Sequence, residues 1–310
     1  MEMRDAFIEA LFPFIQRDRR IIFISNEYGA PSLDRLRVEL SPQFINAGIS
    51  EQNLISVAAG LAMTGKQVVV YSIASFITLR CLEQIKLDLC VMHLPVVIVG
   101  VGPCYAYGVD GPSHHASEDL ALMRSLAHMT IYSPSDAQMA SNLVSRCLSG
   151  RSDGPIYCRL DKGAYPATPP PDEKTWQAGF RLMQEGGDVC LVATGSMVHR
   201  TLEAASALLD LGLRATVVDL FCIKPLQKKQ LSKVLRGCKG VIAVDEHTIH
   251  GGIGSLVAEV MAEESLMLPF RRIAIRDAQL YAYGQRERLQ AERGLDVAGI
   301  VDATLTLNAN

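Results

Sequence analysis

Short apolar runs rich in Val and Ile alternate with longer amphipathic stretches along all 310 residues. Continuous apolar runs belong to strands buried on both faces, and the amphipathic stretches between them to helices that cover those faces. The alternation restricts the chain to α/β layers around a largely parallel sheet. Strands are expected at Ile21–Ser25, Gln67–Tyr71, Pro95–Val101 and Ile156–Arg159, then near Asp188–Ala193, Arg214–Asp219, Gly240–Val244 and Arg271–Ile275. Helices are expected at about Arg4–Gln16, Glu51–Met63, Phe76–Met92, Glu118–Leu126 and Asp136–Leu148, and later at Val198–Leu211, Gln227–Leu235 and Ile253–Glu263. Ser117 and Ser135 each precede acids at a helix start, where a hydroxyl caps and negative charge suits the helix dipole.

The stretch Gly163–Thr175 interrupts this pattern with prolines at 166, 169, 170 and 171. Proline removes backbone donors and stiffens an extended chain, so a domain boundary is expected here. The reading is two consecutive three-layer α/β domains, residues 1–163 and 177–310, joined by a Pro-rich linker over 164–176.

Hydrophobic residues make up 49% of the chain and charged residues 20%, enough for a core and unlike a disordered chain. A net charge of −3 gives no electrostatic reason to expect nucleic acid. The longest apolar run, Leu89 to Gly102, contains His93 and Pro95 and falls short of the roughly 18 residues that span a bilayer, so no membrane segment is expected. Acids near Met1 do not suit a secretory leader. Eight scattered cysteines without a CxxC read as buried free thiols, which fits a reducing cytoplasm.

In open parallel sheets, ligands bind beyond the carboxyl ends of the strands. Three segments fit that position: Phe44–Asn53, Ser72–Gln84 and Gly102–Asp119. In the first, Gly48 suits a turn and Glu51 a helix start, where an acid can simply complement the helix dipole. The third is a long Gly/Pro-rich loop carrying Asp110, His114 and His115. Loops of that length inside a domain are often functional, and a hydrogen-bonded loop histidine is the plain alternative. No metal ligand is expected in this chain: His247 and His250 lack a Cys or carboxylate cluster to complete a zinc site. Gly251-Gly252-Ile253-Gly254 opens a helix without the full G-x-G-x-x-G spacing, so a packing role is expected. P-loop and nucleophile-elbow signatures do not occur.

Three stretches in order, FINAGISEQNLISVAAGLAMTG, DGPSHHASEDLALMR and SPSD, resemble the pyrimidine-binding domain of the transketolase and deoxyxylulose-phosphate synthase family. LVATGSMV, VVDLFCIKPL and DEHTIHGGIGSLVAEV resemble the C-terminal domain of the same family, as does the late Arg293-Gly294-Leu295-Asp296. The resemblance runs from about Phe7 to Ala303. It implies a thiamine diphosphate enzyme in which Glu51 is catalytic: a carboxyl on the cofactor's ring nitrogen N1′ favours the imino tautomer that removes the C2 proton. It further implies Phe76, Ile73, Leu79 and Arg80 around the aminopyrimidine. Here Ile73 and Leu79 are aliphatic where transketolases often carry aromatics. His114 corresponds to an active-site histidine, and Asp110 to an acid that recognises a sugar hydroxyl. Arg159 resembles a phosphate contact, and Ser32 completes the substrate set. Gly102 and Ser133 stand where transketolases have a histidine and an arginine that help bind the phosphorylated substrate.

The family's diphosphate-binding domain carries a Gly-Asp-Gly signature, which this sequence lacks. Met1 stands only a short helix ahead of the first expected strand. The resemblance therefore implies one subunit of a split transketolase, inactive alone, whose partner holds the diphosphate and Mg²⁺ or a similar metal in an α₂β₂ assembly. The activity implied is two-carbon ketol transfer from a ketose or ketose phosphate to an aldehyde. The alternatives are a decarboxylating carboligase of the deoxyxylulose-phosphate synthase type, an oxo-acid dehydrogenase β-type subunit, and a non-catalytic scaffold.

Overall fold

The structure, a computed structural model, describes residues 1–26, 30–150 and 152–308, and within them the Val- and Ile-rich runs form the parallel strands that their patterning predicts. In chain order the first elements are α1 (Met3–Arg17), β1 (Ile21–Ser25), α2 (Pro31–Glu39), β2 (Phe44–Asn46) and α3 (Glu51–Met63). There follow β3 (Gln67–Ile73), α4 (Ala74–Thr78), α5 (Leu82–Gln84), a π-helical turn over Ile85–Cys90, and β4 (Val97–Val101). Next come α6 (Asp119–Ser125), β5 (Thr130–Tyr132), α7 (Ala137–Cys147) and β6 (Ile156–Leu160). Two compact units result: Met1–Pro103 with Leu122–Pro170, and Cys104–Ala121 with Pro171–Asn310.

The strands of the first unit stand in the order β5-β6-β4-β3-β1-β2, all parallel. All residues of β1, β4 and β6 are buried, which is why their sequences run apolar without alternation. Each buried Val or Ile contributes on the order of 1.5–3 kcal/mol relative to exposure. β2 and β5 have three residues each, too few to show a period in the sequence.

Two local expectations are corrected. The helix expected over Phe76–Met92 is not continuous: α4 ends at Thr78, and the chain turns before α5 and the π-helical segment. The cap of α7 is Asp136 rather than Ser135, because the Asp136 carboxylate accepts from the Met139 amide at 2.8 Å. Its other oxygen accepts from the Thr168 amide at 3.0 Å and from the Thr168 hydroxyl, tying the proline-containing stretch to the first unit.

The second unit contains α8 (Glu173–Ala178), β7 (Phe180–Gln184), β8 (Val189–Ala193), α9 (Met197–Asp210), β9 (Ala215–Leu220) and β10 (Cys222–Lys224). It continues with α10 (Lys228–Arg236), β11 (Val241–Thr248), α11 (Ile253–Glu263), β12 (Phe270–Ile275), α12 (Arg286–Ala291) and α13 (Val297–Asn308). Its sheet runs β12-β11-β8-β9-β7, parallel except for β7 against β9. The prolines give way directly to α8, which starts where the Asp172 carboxylate accepts from the Thr175 amide at 2.8 Å. Val189, Leu191, Val217, Ile242 and Val244 form a core closed by Leu289, Leu295 and Ile300. Tyr105 also enters this core, so the loop that follows β4 in sequence packs with the second unit. All eight cysteines are buried thiols outside any disulfide. Among the described residues, no helix is long and apolar enough to cross a membrane.

Candidate active site

Glu51 is the first residue of α3, just past the carboxyl end of β2, and it is only 2% exposed. The turn before it is pinned from two strands. Asn26, following β1, donates its side-chain amide to the Gly48 carbonyl at 2.7 Å, and Asn46 at the end of β2 accepts from the Gly48 amide at 2.9 Å. Gly48 itself has φ +66°, a left-handed conformation that favours glycine. Ser50 does not cap the helix; its hydroxyl donates to the Ala47 carbonyl at 2.6 Å. A carboxylate placed only for the dipole would lie at the surface, whereas this one is held inside.

The charge of Glu51 is met by Arg80, whose guanidinium donates to its carboxylate at 2.7 Å. Arg80 stands in the turn between α4 and α5, 29 positions from Glu51 in sequence. Arg80 also lies over the Phe76 ring, 4.4 Å from its centroid. Ile73, the last residue of β3, is buried and Phe76 is half-buried, while Leu79 is 59% exposed. The adjacent Cys81 thiol is pushed up to about 12 by burial, with the Glu51 charge adding to the effect. It is not a nucleophile. π-helical turns such as Ile85–Cys90 recur at functional sites, and this one follows α5 a few residues after Arg80.

The segment Ser72–Gln84, expected at a ligand-binding strand end, also holds two orphaned hydroxyls that no sequence motif announces. Ser72 and Ser75, at the carboxyl end of β3, have buried side-chain oxygens with no hydrogen-bond partner. A buried unpaired hydroxyl costs about 1–3 kcal/mol, so such groups mark places where a polar ligand can be received. Their signal in the sequence was small polar residues directly after a strand.

The other expected residues fall in several places. Asp110 and His114 share the loop of residues 104–121 in the second unit; Asp110 is exposed and His114 half-buried. The loop is shaped by backbone bonds from the Asp110 amide to the Tyr107 carbonyl at 2.9 Å and from the His114 amide to the Gly111 carbonyl at 3.0 Å. The His114 Nδ1 lies 3.0 Å from the Ser113 hydroxyl. His115 is buried edge-on against Tyr105, with ring centroids 5.1 Å apart. Burial lowers its pKa, partly offset by a backbone hydrogen bond at Gly108. Arg159 is buried on β6, level with Gly100 of β4. The hydroxyl of Ser32 is buried and donates to Asp5 at 2.8 Å. Gly102 follows β4 with φ +71°, and Ser133 is buried just after β5. The structure thus gathers Glu51, Phe76, Ile73 and Arg80 in one unit, and Asp110 and His114 in the other.

The histidine and glycine stretch from the end of β11 into α11 is structural. The Asp245 carboxylate accepts from the Ile253 amide at 2.8 Å and so caps α11. A Cβ on Gly252 would collide with that carboxylate, so glycine is there for packing. His247 is fully buried, with Nδ1 2.8 Å from the Thr248 carbonyl and Nε2 accepting from the Ala121 amide at 3.3 Å. Glu246 pairs with Arg286, which also reaches Ser196.

Two α/β units with mostly parallel sheets, and a buried carboxylate at a helix start beyond the strand ends, place the protein in the open-sheet α/β class, which binds ligands at such strand ends. Comparison with known proteins narrows this. Residues 1–168 match the transketolase pyrimidine-binding domain and residues 179–300 the transketolase C-terminal domain. The chain is 34% identical over 270 residues to one of the subunits of the apulose-4-phosphate transketolase of Actinobacillus succinogenes, covering 87% of this chain and 86% of that one. It is 32% identical over 304 residues to the like-named protein from Phocaeicola vulgatus, covering 97% and 96%. A solved split-gene transketolase, described as an inactive β4 tetramer, superposes with a TM-score of 0.89 at 32% identity, over 100% of this chain and 99% of that one. The chain belongs to the transketolase family, as a transketolase-type subunit with pyrimidine-binding and C-terminal domains.

Proposed function

We propose that this chain is one subunit of a split, thiamine diphosphate-dependent transketolase that moves a two-carbon ketol unit from a ketose phosphate to an aldehyde. The observation that carries this reading is the buried Glu51 carboxylate at the head of α3, with Arg80 as its charge partner. The neighbouring residues fit an aminopyrimidine: Ile73 and Phe76 offer apolar surface, and the orphaned Ser72 and Ser75 hydroxyls offer polar contacts. When bound, thiamine diphosphate supplies the nucleophilic carbon and the electron sink for breaking the bond beside the ketose carbonyl. Glu51 holds a proton at the ring nitrogen and thereby sets the tautomer of the ring. Phe76 and Ile73 orient the ring and exclude water, with Leu79 at the open side. Arg80, bonded to Glu51 at 2.7 Å, would be a further contact of the cofactor. Asp110 and His114 bind substrate hydroxyls, Arg159 the phosphate end, and Ser32 is a further substrate contact.

The near-full-length likeness to a split-gene transketolase chain and to proteins named as transketolase subunits supports a partner subunit that holds the diphosphate and a divalent metal, in an α₂β₂ assembly as the simplest closed arrangement. The inactive β4 tetramer of the split-gene relative supports the view that this chain is silent alone. The two apulose-4-phosphate relatives support a sugar phosphate as substrate. Domain limits of 1–163 and 177–310 with the linker between them, a place in carbohydrate metabolism, and a cytoplasmic location supported by eight cysteines outside any disulfide complete the reading.

The test combines the chain with a partner carrying the diphosphate-binding domain. Ketol transfer from a ketose phosphate that needs both chains is the expected result. Release of CO₂ from pyruvate would instead indicate the decarboxylating carboligase or oxo-acid dehydrogenase reading. A pair that binds no thiamine diphosphate would indicate a scaffold.

A further inference from the structure

The amino ends of the first sheet lie at the opposite edge from Glu51. Three loops enter neighbouring strands there: His93 precedes β4, His128 precedes β5 and Asp153 precedes β6. Because β6 stands between β4 and β5, these three side chains converge although they are far apart in sequence. The Nδ1 of His93 lies 3.5 Å from one oxygen of the Asp153 carboxylate, and the Nδ1 of His128 lies 3.9 Å from the other. One ligand atom from each residue falls within 4.8 Å of the other two. The imidazole rings approach to 3.8 Å between centroids.

The loops are shaped to hold this arrangement. Both histidines have left-handed backbones, φ +54° at His93 and +59° at His128, which few side chains adopt. Next to Asp153, a Cβ on Gly154 would lie 2.5 Å from the His128 carbonyl oxygen, so only glycine lets these two loops touch.

We propose that His93, His128 and Asp153 bind a divalent transition-metal ion of the zinc class. Two imidazoles and a carboxylate suit zinc, copper or nickel, whereas magnesium and calcium take oxygen ligands. A tetrahedral zinc with ligands at about 2.0–2.2 Å holds them roughly 3.4 Å from one another. The histidine nitrogens lie 3.5 and 3.9 Å from the two different oxygens of Asp153, and one ligand atom from each residue lies within 4.8 Å of the others. These exposed side chains close onto such an ion by rotations that move the ligand atoms by about 1 Å. The side chains are 43%, 42% and 88% exposed, so the ion keeps an open position for water and exchanges with solvent. Its role is to clasp the loops before three adjacent strands, at the edge away from the chemistry.

The experiment uses the full chain, stripped with chelator and dialysed, and titrated calorimetrically with zinc chloride. One zinc per chain and a raised Tm are expected, with no such response to magnesium. Asp153→Asn lowers the affinity at least tenfold. The double variant His93→Asn/His128→Asn abolishes binding; asparagine tolerates the left-handed conformation, so its Tm in chelator stays at the parental value. Undiminished zinc binding in the double variant would place the metal on thiols or other groups and overturn the proposal. So would the absence of saturable binding to the parental chain.

Discussion

Replacing Glu51 by Gln separates the chemistry of this side chain from its packing. The amide keeps the volume of the carboxyl, so no cavity opens. It loses the charge-assisted bond from Arg80 at 2.7 Å. Hydrogen bonds to charged groups contribute about 1.5–3 kcal/mol when both partners are buried. Here the Arg80 side chain is 42% exposed and regains water, so the cost to stability is about 1 kcal/mol. The chemical loss is larger. An amide cannot share a proton at the ring nitrogen, and losing a positioned proton-transfer group costs about 10²–10⁴ in rate. That is about 3–5.5 kcal/mol in the barrier, several times the stability cost. The assay is the initial rate of ketol transfer by the reconstituted pair at saturating thiamine diphosphate, alongside the Tm of the variant chain. A rate within about tenfold of the parent, with the chain folded, would refute the role assigned to Glu51.

Two further outcomes concern the second unit. Arg181 and Asp219 form a buried pair at 2.9 Å, with side chains 9% and 0% exposed. Arg181→Met should destabilise by about 3–5 kcal/mol in urea unfolding, while Arg181→Met/Asp219→Leu should recover most of that loss, because the uncompensated charge is then gone. His115 has its pKa lowered by burial, so the unfolded state takes up its proton first as the pH falls. Its contribution to stability is complete above the unfolded value of about 6.5 and is lost as the pH falls through the folded value. The urea midpoint of the parent should therefore fall more steeply between pH 7.5 and 5 than that of His115→Gln, and equal slopes would contradict this.

What was legible in the sequence was whatever a local pattern can carry. β1 and the α3 and α11 helices fall at their expected limits, because burial on both faces writes a continuous apolar run and an amphipathic helix writes its own period. The parallel α/β class and the start of a helix at Glu51 follow from the same local signals. Shorter elements such as β2 and β5 left no period to read.

Which side chains meet was decided only by the tertiary fold. Arg80 meets Glu51, 29 positions away in sequence, because the fold packs α3 against the α4 segment, a long-range contact that no local period announces. The 104–121 loop packs with the second unit because Tyr105 finds its core there, a long-range contact with no counterpart in spacing. His93, His128 and Asp153 converge because the sheet sets β6 between β4 and β5. Periodicity records which face of an element is buried. The order of strands, and hence the company each loop keeps, is settled by burial summed over the whole sheet.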